Sequence, residues 1–462
     1  MTTNPRASRK RTRGLGVAAV IFASVALGAV GSALSSLSPR GHTGVRRQER
    51  AATTAPSAQA PEDRARAQLG KRIFFDARLS EPPGTSCASC HDPRHGFAGN
   101  HGSAIGIAQG SRAGHFARRN TPSVMYLGLV HRFHFHWEED AALPDGAGGF
   151  FWDGRSDSLA TLVEQPLLNP DEMNGGSRAL VADKLRAADY AEELRHTLGA
   201  TALDTPDDAM HALGVLVEAF LRSDELSPYS SRFDDSLRGR ATLTAEEQRG
   251  LALFRDPAKG NCGFCHKVNP SSTNPARSPF TDHGFETVGV PRNPALPARE
   301  PDLGLCTARP AGAHTDEARF CGGFRTPSLR NVATRSRFMH NGFFTSLRDV
   351  VAFYATRSSD PARWYPSGVP YDDLPERYRG NVNELVPPYD RGPGEKPRLD
   401  DSEIDAIVTF LRTLTDAGHE PPAPAAPVPV RASAPAVTSP PAQRSRRDIR
   451  TLADRPQFQT EQ

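Results

Sequence analysis

The sequence predicts a mainly α-helical fold built from two similar halves, with long loops and few short strands. Three observations lead to this prediction. Apolar residues recur at helical spacing, most clearly over residues 402–413, and a capping-box pattern stands at residues 244–247. Alternating runs typical of half-buried strands are few. Both halves share the order helix, Cys-x-x-Cys-His, long loop and later helix, which is a weak internal repeat.

The chain has 462 residues, enough for two or three domains that each bury a core of their own. Its 37% apolar and 24% charged residues are ordinary values for a soluble globular protein. The net charge is +3, and it falls to −2 without the five positive charges of residues 1–38. This weak charge predicts no nucleic-acid partner.

The first 38 residues have the pattern of an export signal. Basic side chains precede an apolar, alanine-rich run over residues 15–37, and a run of about 20 residues is also long enough to span a bilayer. We therefore expect a cleaved signal peptide, with membrane anchoring through residues 15–37 as the alternative, and a periplasmic location. That oxidising compartment favours a disulfide between Cys306 and Cys321, with two free thiols as the alternative.

Two Cys-x-x-Cys-His strings, at residues 87–91 and 262–266, use four of the six cysteines. The two thiols of such a string can form thioether bonds to one haem, and the histidine then becomes the proximal ligand of its iron. A lone match would also fit a zinc half-site or a redox dithiol, but two matches in an exported chain favour two covalently bound haem c groups. The predicted attachment thiols are Cys87, Cys90, Cys262 and Cys265, and the predicted iron ligands are His91 and His266.

These two sites predict two cytochrome c-like haem domains, at residues 62–235 and 236–416. A first helix is expected at about residues 61–75, just before the first string. Residues 39–61 are rich in alanine, threonine, proline and arginine and are predicted to form a linker. Residues 417–462 form a Pro/Ala-rich tail that we predict to be disordered.

Five further motifs stand in a fixed order around the two strings. Together with the strings they resemble the bacterial di-haem cytochrome c peroxidase family, and in particular its MauG-like branch, over about residues 62–416. MauG-like members oxidise residues of a partner protein, whereas other members take electrons from small donor proteins. The motifs are Leu69–Asp76, Arg119–Pro122, Phe151–Arg155, Asn169–Met173 and Phe324–Val332.

The resemblance implies that peroxide reacts at the first haem, so the distal side of that haem must be open. Members that need reductive activation carry a removable distal histidine in the loop after the string. The matching position here is Ile107, which cannot bind iron. The resemblance thus implies a five-coordinate haem that is ready without prior reduction. His95, His101 and His115 are nearby, and any of them would overturn this expectation as a ligand.

Glu172 matches the family's distal glutamate, a carboxylate suited to moving a proton between the two oxygens of peroxide. Pro166 matches a proline of the distal pocket. The family's distal glutamine falls on Leu162, which removes a hydrogen-bond partner that Gln165 could supply from a shifted position. Trp152 corresponds to the tryptophan between the haems, and we expect it to relay electrons, with a core aromatic residue as the alternative.

The distal ligand of the second haem decides the branch. The resemblance places Tyr354 there, where donor-fed peroxidases carry methionine and MauG-like members carry tyrosine. A phenolate favours high oxidation states of iron, whereas a thioether favours ferrous iron. Met339 is a rival ligand in the same region. The helical spacing of Leu347, Val350, Val351 and Tyr354 also fits an ordinary buried helix face.

Asn120 matches a calcium ligand of the family, where an amide oxygen joins main-chain carbonyls between the domains. The carbonyl positions fall on Arg335 and Arg337. In an insertion, the alternation of residues 131–137 puts His134 and His136 on one strand face. A metal site there is conceivable, but we favour a surface or pocket-lining loop.

The leading hypothesis is a MauG-like di-haem peroxidase, in which hydrogen peroxide forms a high-valent di-haem state that oxidises a tryptophan or tyrosine of a partner protein. The first alternative is a cytochrome c peroxidase, which reduces peroxide to water with electrons from a small cytochrome c or cupredoxin. The second is a non-catalytic di-haem electron carrier. Glu172 and the missing distal histidine argue against the carrier, and Tyr354 separates the two enzymes.

Overall fold

The structure, a computed structural model, describes residues 60–137, 144–308, 310 and 313–419. The predicted signal segment, nearly all of the linker and the tail from residue 420 lie outside these residues. No helix in the described part of the chain is both long enough and apolar enough to cross a membrane. The described residues form twelve α-helices and four short strands, which confirms the mainly helical fold.

Capping boxes with a carboxylate fix the starts of four helices, because the cap side chain and the carboxylate three residues later each satisfy a free backbone N–H. The cap residues are Thr205, Ser231, Thr244 and Asp400. The helices are α1 Pro61–Phe74, α2 Cys87–Cys90, α3 Leu159–Leu168, α4 Arg178–Arg186, α5 Ala191–Leu198, α6 Pro206–Leu221, α7 Arg232–Leu237, α8 Ala245–Arg255, α9 Leu305–Ala308, α10 Leu347–Thr356, α11 Pro361–Trp364 and α12 Asp401–Arg412.

The four strands form two small antiparallel pairs. They are β1 His134–His136 with β2 Asp145–Ala147, and β3 Phe285–Glu286 with β4 Phe324–Arg325. The rings of His134 and His136 have centroids 6.0 Å apart, as alternation on one strand face predicts. Within the described residues, no group of three or more His, Cys, Asp or Glu side chains is placed to hold a metal ion. The two histidines therefore lie on one strand of an antiparallel pair, and their place in a surface or pocket-lining loop stays a prediction.

The same pair of packed helices occurs in both halves. α1 packs on α6 in the first half, and α8 packs on α12 in the second. A Cβ atom at Gly70 would lie 1.8 Å from the carbonyl oxygen of Leu216, and one at Gly250 would lie 2.0 Å from that of Ala406. Each pair therefore crosses at backbone contact, where only glycine fits.

A triplet of phenylalanine rings repeats beside each crossing. One ring comes from each helix of the pair and the third from the loop between them, with centroids 5.3–6.3 Å apart. Aromatic rings at this spacing stabilise each other beyond the area they bury. The weak repeat of the sequence is thus a repeat in three dimensions. The triplets are Phe74, Phe97 and Phe220, and Phe254, Phe280 and Phe410.

Two separate clusters of buried apolar side chains form the main cores. The first extends from Leu69 to Leu226 and the second from Phe233 to Leu414. The predicted boundary at residue 236 falls inside α7, whose Phe233 belongs to the second core. We propose that the boundary between the halves lies a few residues earlier, between Leu226 and Phe233.

A buried ion pair lies at the junction of the two cores. Arg330 binds both carboxylate oxygens of Asp234 at 3.0 Å, and both side chains are fully buried. The guanidinium carbon lies 4.8 Å from the ring centroids of Tyr126 and Tyr229, which belong to the first core or pack against it. The Tyr126 hydroxyl also donates to Asp416 at 2.6 Å. These contacts tie the first core to the second.

Cys306 and Cys321 form the expected disulfide. The disulfide lies in a third, smaller apolar cluster, against which Phe135 of β1 packs. The bond closes a loop that the sequence marks only as glycine-rich and polar.

We expect Gly250→Ala to destabilise the protein by about 2 kcal/mol, because the added methyl forces α8 and α12 apart. The gain in helix propensity, about 1 kcal/mol, offsets only part of the strain. Thermal unfolding followed by circular dichroism measures the effect. Gly380→Ala is the control, since a Cβ there meets no atom within 4 Å. An unchanged melting temperature for Gly250→Ala would contradict a crossing at backbone contact.

Candidate haem sites

Each Cys-x-x-Cys-His string ends in a histidine whose ring is held by a backbone carbonyl. His91 Nδ1 lies 3.2 Å from the carbonyl oxygen of Phe97, and His266 Nδ1 lies 2.9 Å from that of Phe280. Donation by Nδ1–H leaves Nε2 unprotonated, which is the form that binds iron. Burial lowers the pKa of both imidazoles, that of His91 to about 4, so both rings stay neutral.

The two accepting carbonyls are positioned in the same way. Phe97 and Phe280 adopt the left-handed backbone region, with φ of 52° and 54°, a conformation uncommon outside glycine. The hydroxyls of Ser123 and Ser328 each donate to the carbonyl of the residue before the phenylalanine, at 2.6 and 2.7 Å. Sequence reasoning missed these four residues. The signal that could have found them is the repeated Thr-Pro-Ser at residues 121–123 and 326–328.

The four cysteines of the strings are not paired with one another. Burial raises the pKa of each of these thiols to about 12. A redox dithiol instead requires a thiol whose pKa is lowered. The environment of the strings therefore argues against the dithiol alternative and fits thiols held for covalent attachment.

A large apolar cavity lies in front of the second string. Counting its open mouth, it encloses about 1550 Å³ of empty space. Cys262, Cys265 and His266 line one side of it. Leu347 and Tyr354 of α10 line another part of the wall. The cavity can hold a haem attached to the second string.

Both candidate distal ligands, Tyr354 and Met339, line this cavity. The apolar face of α10 that the helical spacing predicts forms part of the cavity wall. Tyr354 can therefore belong to that helix face and also face the second haem. Burial raises the pKa of Tyr354, and the nearby thiols of Cys265 and Cys262 raise it further. Those thiols are close enough to Tyr354 to interact with it electrostatically across the cavity.

Two arginines line the same cavity and form no ion pair with any described residue; Arg325 is buried and Arg335 is half-buried. Arg325 donates to the Phe151 carbonyl at 3.1 Å, and Arg335 donates to the Thr121 carbonyl at 3.2 Å. Burial lowers the pKa of both guanidinium groups to about 10. Buried cations are rare without an anion, and haem carries two carboxylates. The cavity thus has both the apolar wall and the cations that fit a haem.

Glu172 lies at the first site, close enough to Cys90 for its charge to raise the pKa of that thiol. Its backbone N–H donates to the Asn169 carbonyl at 3.0 Å, and its carbonyl accepts from Ser111 at 2.7 Å. Burial raises the pKa of the carboxyl, and Arg155 partly opposes this effect. A buried carboxyl with a raised pKa can accept and return a proton.

Helix α3 carries the other residues predicted for this pocket. The carbonyl of Pro166 accepts from the backbone N–H of Met173 at 3.2 Å, which draws the loop of Glu172 onto the helix. Gln165 accepts from Arg155 Nε at 2.8 Å, beside that loop. Leu162 packs against the first core. Whether Gln165 replaces the missing glutamine stays a prediction.

Ile107 is fully buried, in a loop that packs against the loop of Glu172 through Gly110. The three rival histidines each have a polar partner of their own. These pairs are His95 with Asp92 at 3.2 Å, His101 with the carbonyl of Gln109 at 2.9 Å, and His115 with Asp171 at 2.9 Å. An apolar Ile107 stays consistent with an open distal side at the first haem.

Trp152 connects the two sites. Its indole N–H donates to the Asn120 carbonyl at 2.8 Å, and its ring lines the second cavity. The neighbouring Asp153 binds Arg119 at 2.5 Å. Trp152 and Asp153 thus hold the neighbouring residues Asn120 and Arg119 in place. Pro122 of the same loop lies beside His91, so Trp152 both lines the second cavity and contacts a loop of the first site.

The predicted calcium ligands come together only in part. The Asn120 side-chain amide lies 3.2 Å from the carbonyl oxygen of Arg337 and 3.1 Å from that of Met339. The Arg335 carbonyl accepts no hydrogen bond from a described residue. Turning the amide by 180° would present its oxygen beside these carbonyls. The group of oxygens fits a hard cation such as calcium.

Comparison with known proteins agrees with this arrangement. Residues 64–242 match the family model of the di-haem cytochrome c peroxidases. The methylamine utilization protein MauG of Paracoccus denitrificans is 36% identical over 388 residues, which cover 80% of this chain and 93% of that protein. The cytochrome c551 peroxidase of Pseudomonas aeruginosa is 27% identical over 294 residues, 62% of this chain and 70% of that protein.

The fold also matches a solved structure. The di-haem peroxidase BthA of Burkholderia thailandensis is 48% identical, with a TM-score of 0.72 over 76% of this chain and 86% of that one. The matched relatives are named as peroxidases or as MauG, so the chain is a haem-dependent oxidoreductase that acts on peroxide. The chain therefore belongs to the di-haem cytochrome c peroxidase family.

Proposed function

We propose that this protein is a MauG-like di-haem peroxidase that uses hydrogen peroxide to oxidise a tryptophan or tyrosine of a partner protein. The observation that carries the proposal is the position of Tyr354, which lines the second cavity near the attachment thiols. A phenolate ligand favours the high oxidation states of iron. Haem c bound at the two strings supplies the redox chemistry with peroxide. The similarity to MauG supports the same assignment.

Glu172 serves as the proton carrier of the first site. Peroxide cleavage requires a proton to move from its inner to its outer oxygen, and a positioned carboxylate can accept and return that proton. Burial raises its pKa, so this carboxyl takes up a proton more readily than an exposed glutamate does. Pro166 holds the loop of Glu172 in place through its carbonyl.

Trp152 relays electrons between the two sites. The indole lies in a buried position with its N–H bound, at the wall of the second cavity and beside the loop of the first string. An aromatic ring there shortens each electron-transfer step. The two sites can then share oxidising equivalents, although only the first haem has an open distal side for peroxide.

The second candidate function is a cytochrome c peroxidase that takes electrons from a small cytochrome c or cupredoxin. Met339 favours it, because this residue also lines the second cavity and a thioether ligand would stabilise ferrous iron. The two functions differ in which of the two residues binds the second iron.

We also propose a calcium ion between the halves, held by the Asn120 amide oxygen and by the carbonyls of Arg335 and Arg337. The convergence of Asn120 with Arg337 supports the ion.

A periplasmic location is proposed as well. It agrees with the disulfide and with covalent haem attachment, since disulfides persist in oxidising compartments.

Tyr354→Phe is expected to change the low-spin ferric signal of the second haem, because it removes the predicted oxygen ligand. Electron paramagnetic resonance of the diferric holoprotein measures this signal. Met339→Leu is the matched control and should leave the signal unaltered. The opposite pattern, with a change only in Met339→Leu, would favour the cytochrome c peroxidase.

Glu172→Gln should slow the reaction with peroxide about 100-fold or more, since a positioned proton carrier contributes about 10²–10⁴. The carboxyl must be ionised to accept a proton and its pKa is raised above 4.5. The wild-type rate should therefore fall as pH decreases through that raised pKa, and the variant should lack this acid limb. Stopped-flow spectroscopy measures both. Glu164→Gln, on the preceding helix α3 and paired with Arg178, is the control; equal slowing of both variants would remove Glu172 from this role.

We expect the purified holoprotein to retain one calcium ion per chain, and Asn120→Ala to lose it. Elemental analysis after dialysis measures the content. Asn100→Ala is the matched control, because Asn100 also donates to a backbone carbonyl in a loop. Retention of calcium by Asn120→Ala would exclude this site.

A further inference from the structure

A second tyrosine lies beside the predicted distal ligand. The rings of Tyr354 and Tyr389 have centroids 5.5 Å apart and planes inclined by 31°. Both rings line the second cavity. Tyr389 is 9% exposed, and its hydroxyl makes no hydrogen bond to a described residue. Tyr389 therefore extends the row of aromatic rings by one ring beyond Tyr354.

The guanidinium of Arg357 lies between Tyr389 and a third tyrosine. Its central carbon lies 4.2 Å from the ring centroid of Tyr389 and 5.6 Å from that of Tyr371. The side chain is fully buried and donates to the carbonyls of Val288 and Asn383. These hydrogen bonds fix Arg357 in place. Its planar guanidinium then makes cation–π contacts with both tyrosine rings.

Tyr371 joins the cavity wall to the surface. A Cβ atom at Gly289, which lines the cavity, would lie 2.5 Å from the ring of Tyr371, so only a glycine separates this ring from the cavity. The hydroxyl of Tyr371 donates to the exposed carboxylate of Glu384. This phenol therefore has a proton acceptor at the surface, which Tyr389 lacks among the described residues.

We infer that Tyr371 is the surface end of a one-electron path that leads from the second haem site through Tyr354 and Tyr389, and that an external reductant or partner protein is oxidised there. The inference rests on the proposed function, because it requires peroxide to oxidise the haem sites. Tyr371 acts as the site of electron exchange, with Glu384 as its proton acceptor.

The step balances in electrons and protons. Tyr371 loses one electron to the peroxide-oxidised haem site and its phenolic proton to Glu384, which leaves a neutral tyrosyl radical. The external donor then returns one electron, and Glu384 returns the proton. Two such passages supply the two electrons which, with two protons from solvent, reduce one peroxide to two waters.

The charges along the path favour Tyr371 over Tyr389 as the resting place of the oxidised ring. Arg357 is closer to Tyr389, and its positive charge opposes removal of an electron from that ring. Loss of a proton from a buried phenol without an acceptor is also costly. Glu384 removes that cost at Tyr371. The oxidised state thus moves outward, away from the cavity.

The test begins with diferric holoprotein mixed with stoichiometric peroxide and frozen within milliseconds to seconds. Optical spectra follow the haems, and electron paramagnetic resonance follows a tyrosyl radical. Wild type should show the radical, and Tyr371→Phe should lose it. Tyr378→Phe is the control, since this tyrosine lies in the same segment but packs on the apolar cluster around the disulfide, whereas Tyr371 packs on Arg357; it should keep the radical.

Glu384→Gln keeps a hydrogen-bond acceptor but not the base, so it should delay the radical about 100-fold or more. An unchanged radical in Tyr371→Phe, or haems that peroxide oxidises without any tyrosyl radical in wild type, would overturn the inference while leaving the proposed function intact. Haem spectra that do not respond to peroxide would instead refute the proposed function, and this path with it.

Discussion

The buried contact between Arg330 and Asp234 is the interaction on which the arrangement of the two haem sites depends. Both side chains are fully buried, and removing one partner of such a pair typically costs about 3–5 kcal/mol because the other charge is left unpaired. The rings of Tyr126 and Tyr229 from the first half enclose the same guanidinium. The junction therefore ties the second half to the first.

Within that frame the two halves are built alike but used differently. Each has a helix crossing at glycine, a phenylalanine triplet and a carbonyl that orients the proximal histidine. The differences lie on the distal sides, where the first site has Glu172 and the second has Tyr354. In the proposed function, this repeated scaffold holds two haems with the same proximal chemistry and different distal chemistry.

Positively charged arginine side chains gather at the second site. Arg325 and Arg335 line the second cavity without an ion pair to any described residue, and Arg357 is fully buried beside Tyr389. The first two cations fit the carboxylates of a bound cofactor. Trp152 and Tyr389 both line the cavity, and in the proposed function they carry electrons from the first haem and from the surface, respectively.

The sequence by itself determined the haem strings, the capped helices, the disulfide partners and the family, because each of these depends on residue type at short or fixed spacing. Only the tertiary structure decided how Phe97 and Phe280 orient the histidines, that Arg325 is a buried cation at the cavity, and that Tyr371 lies behind Gly289. The repeated Thr-Pro-Ser marks the first of these arrangements in the sequence without giving its left-handed geometry. The other two join residues that are distant in sequence, and local patterns do not encode such contacts.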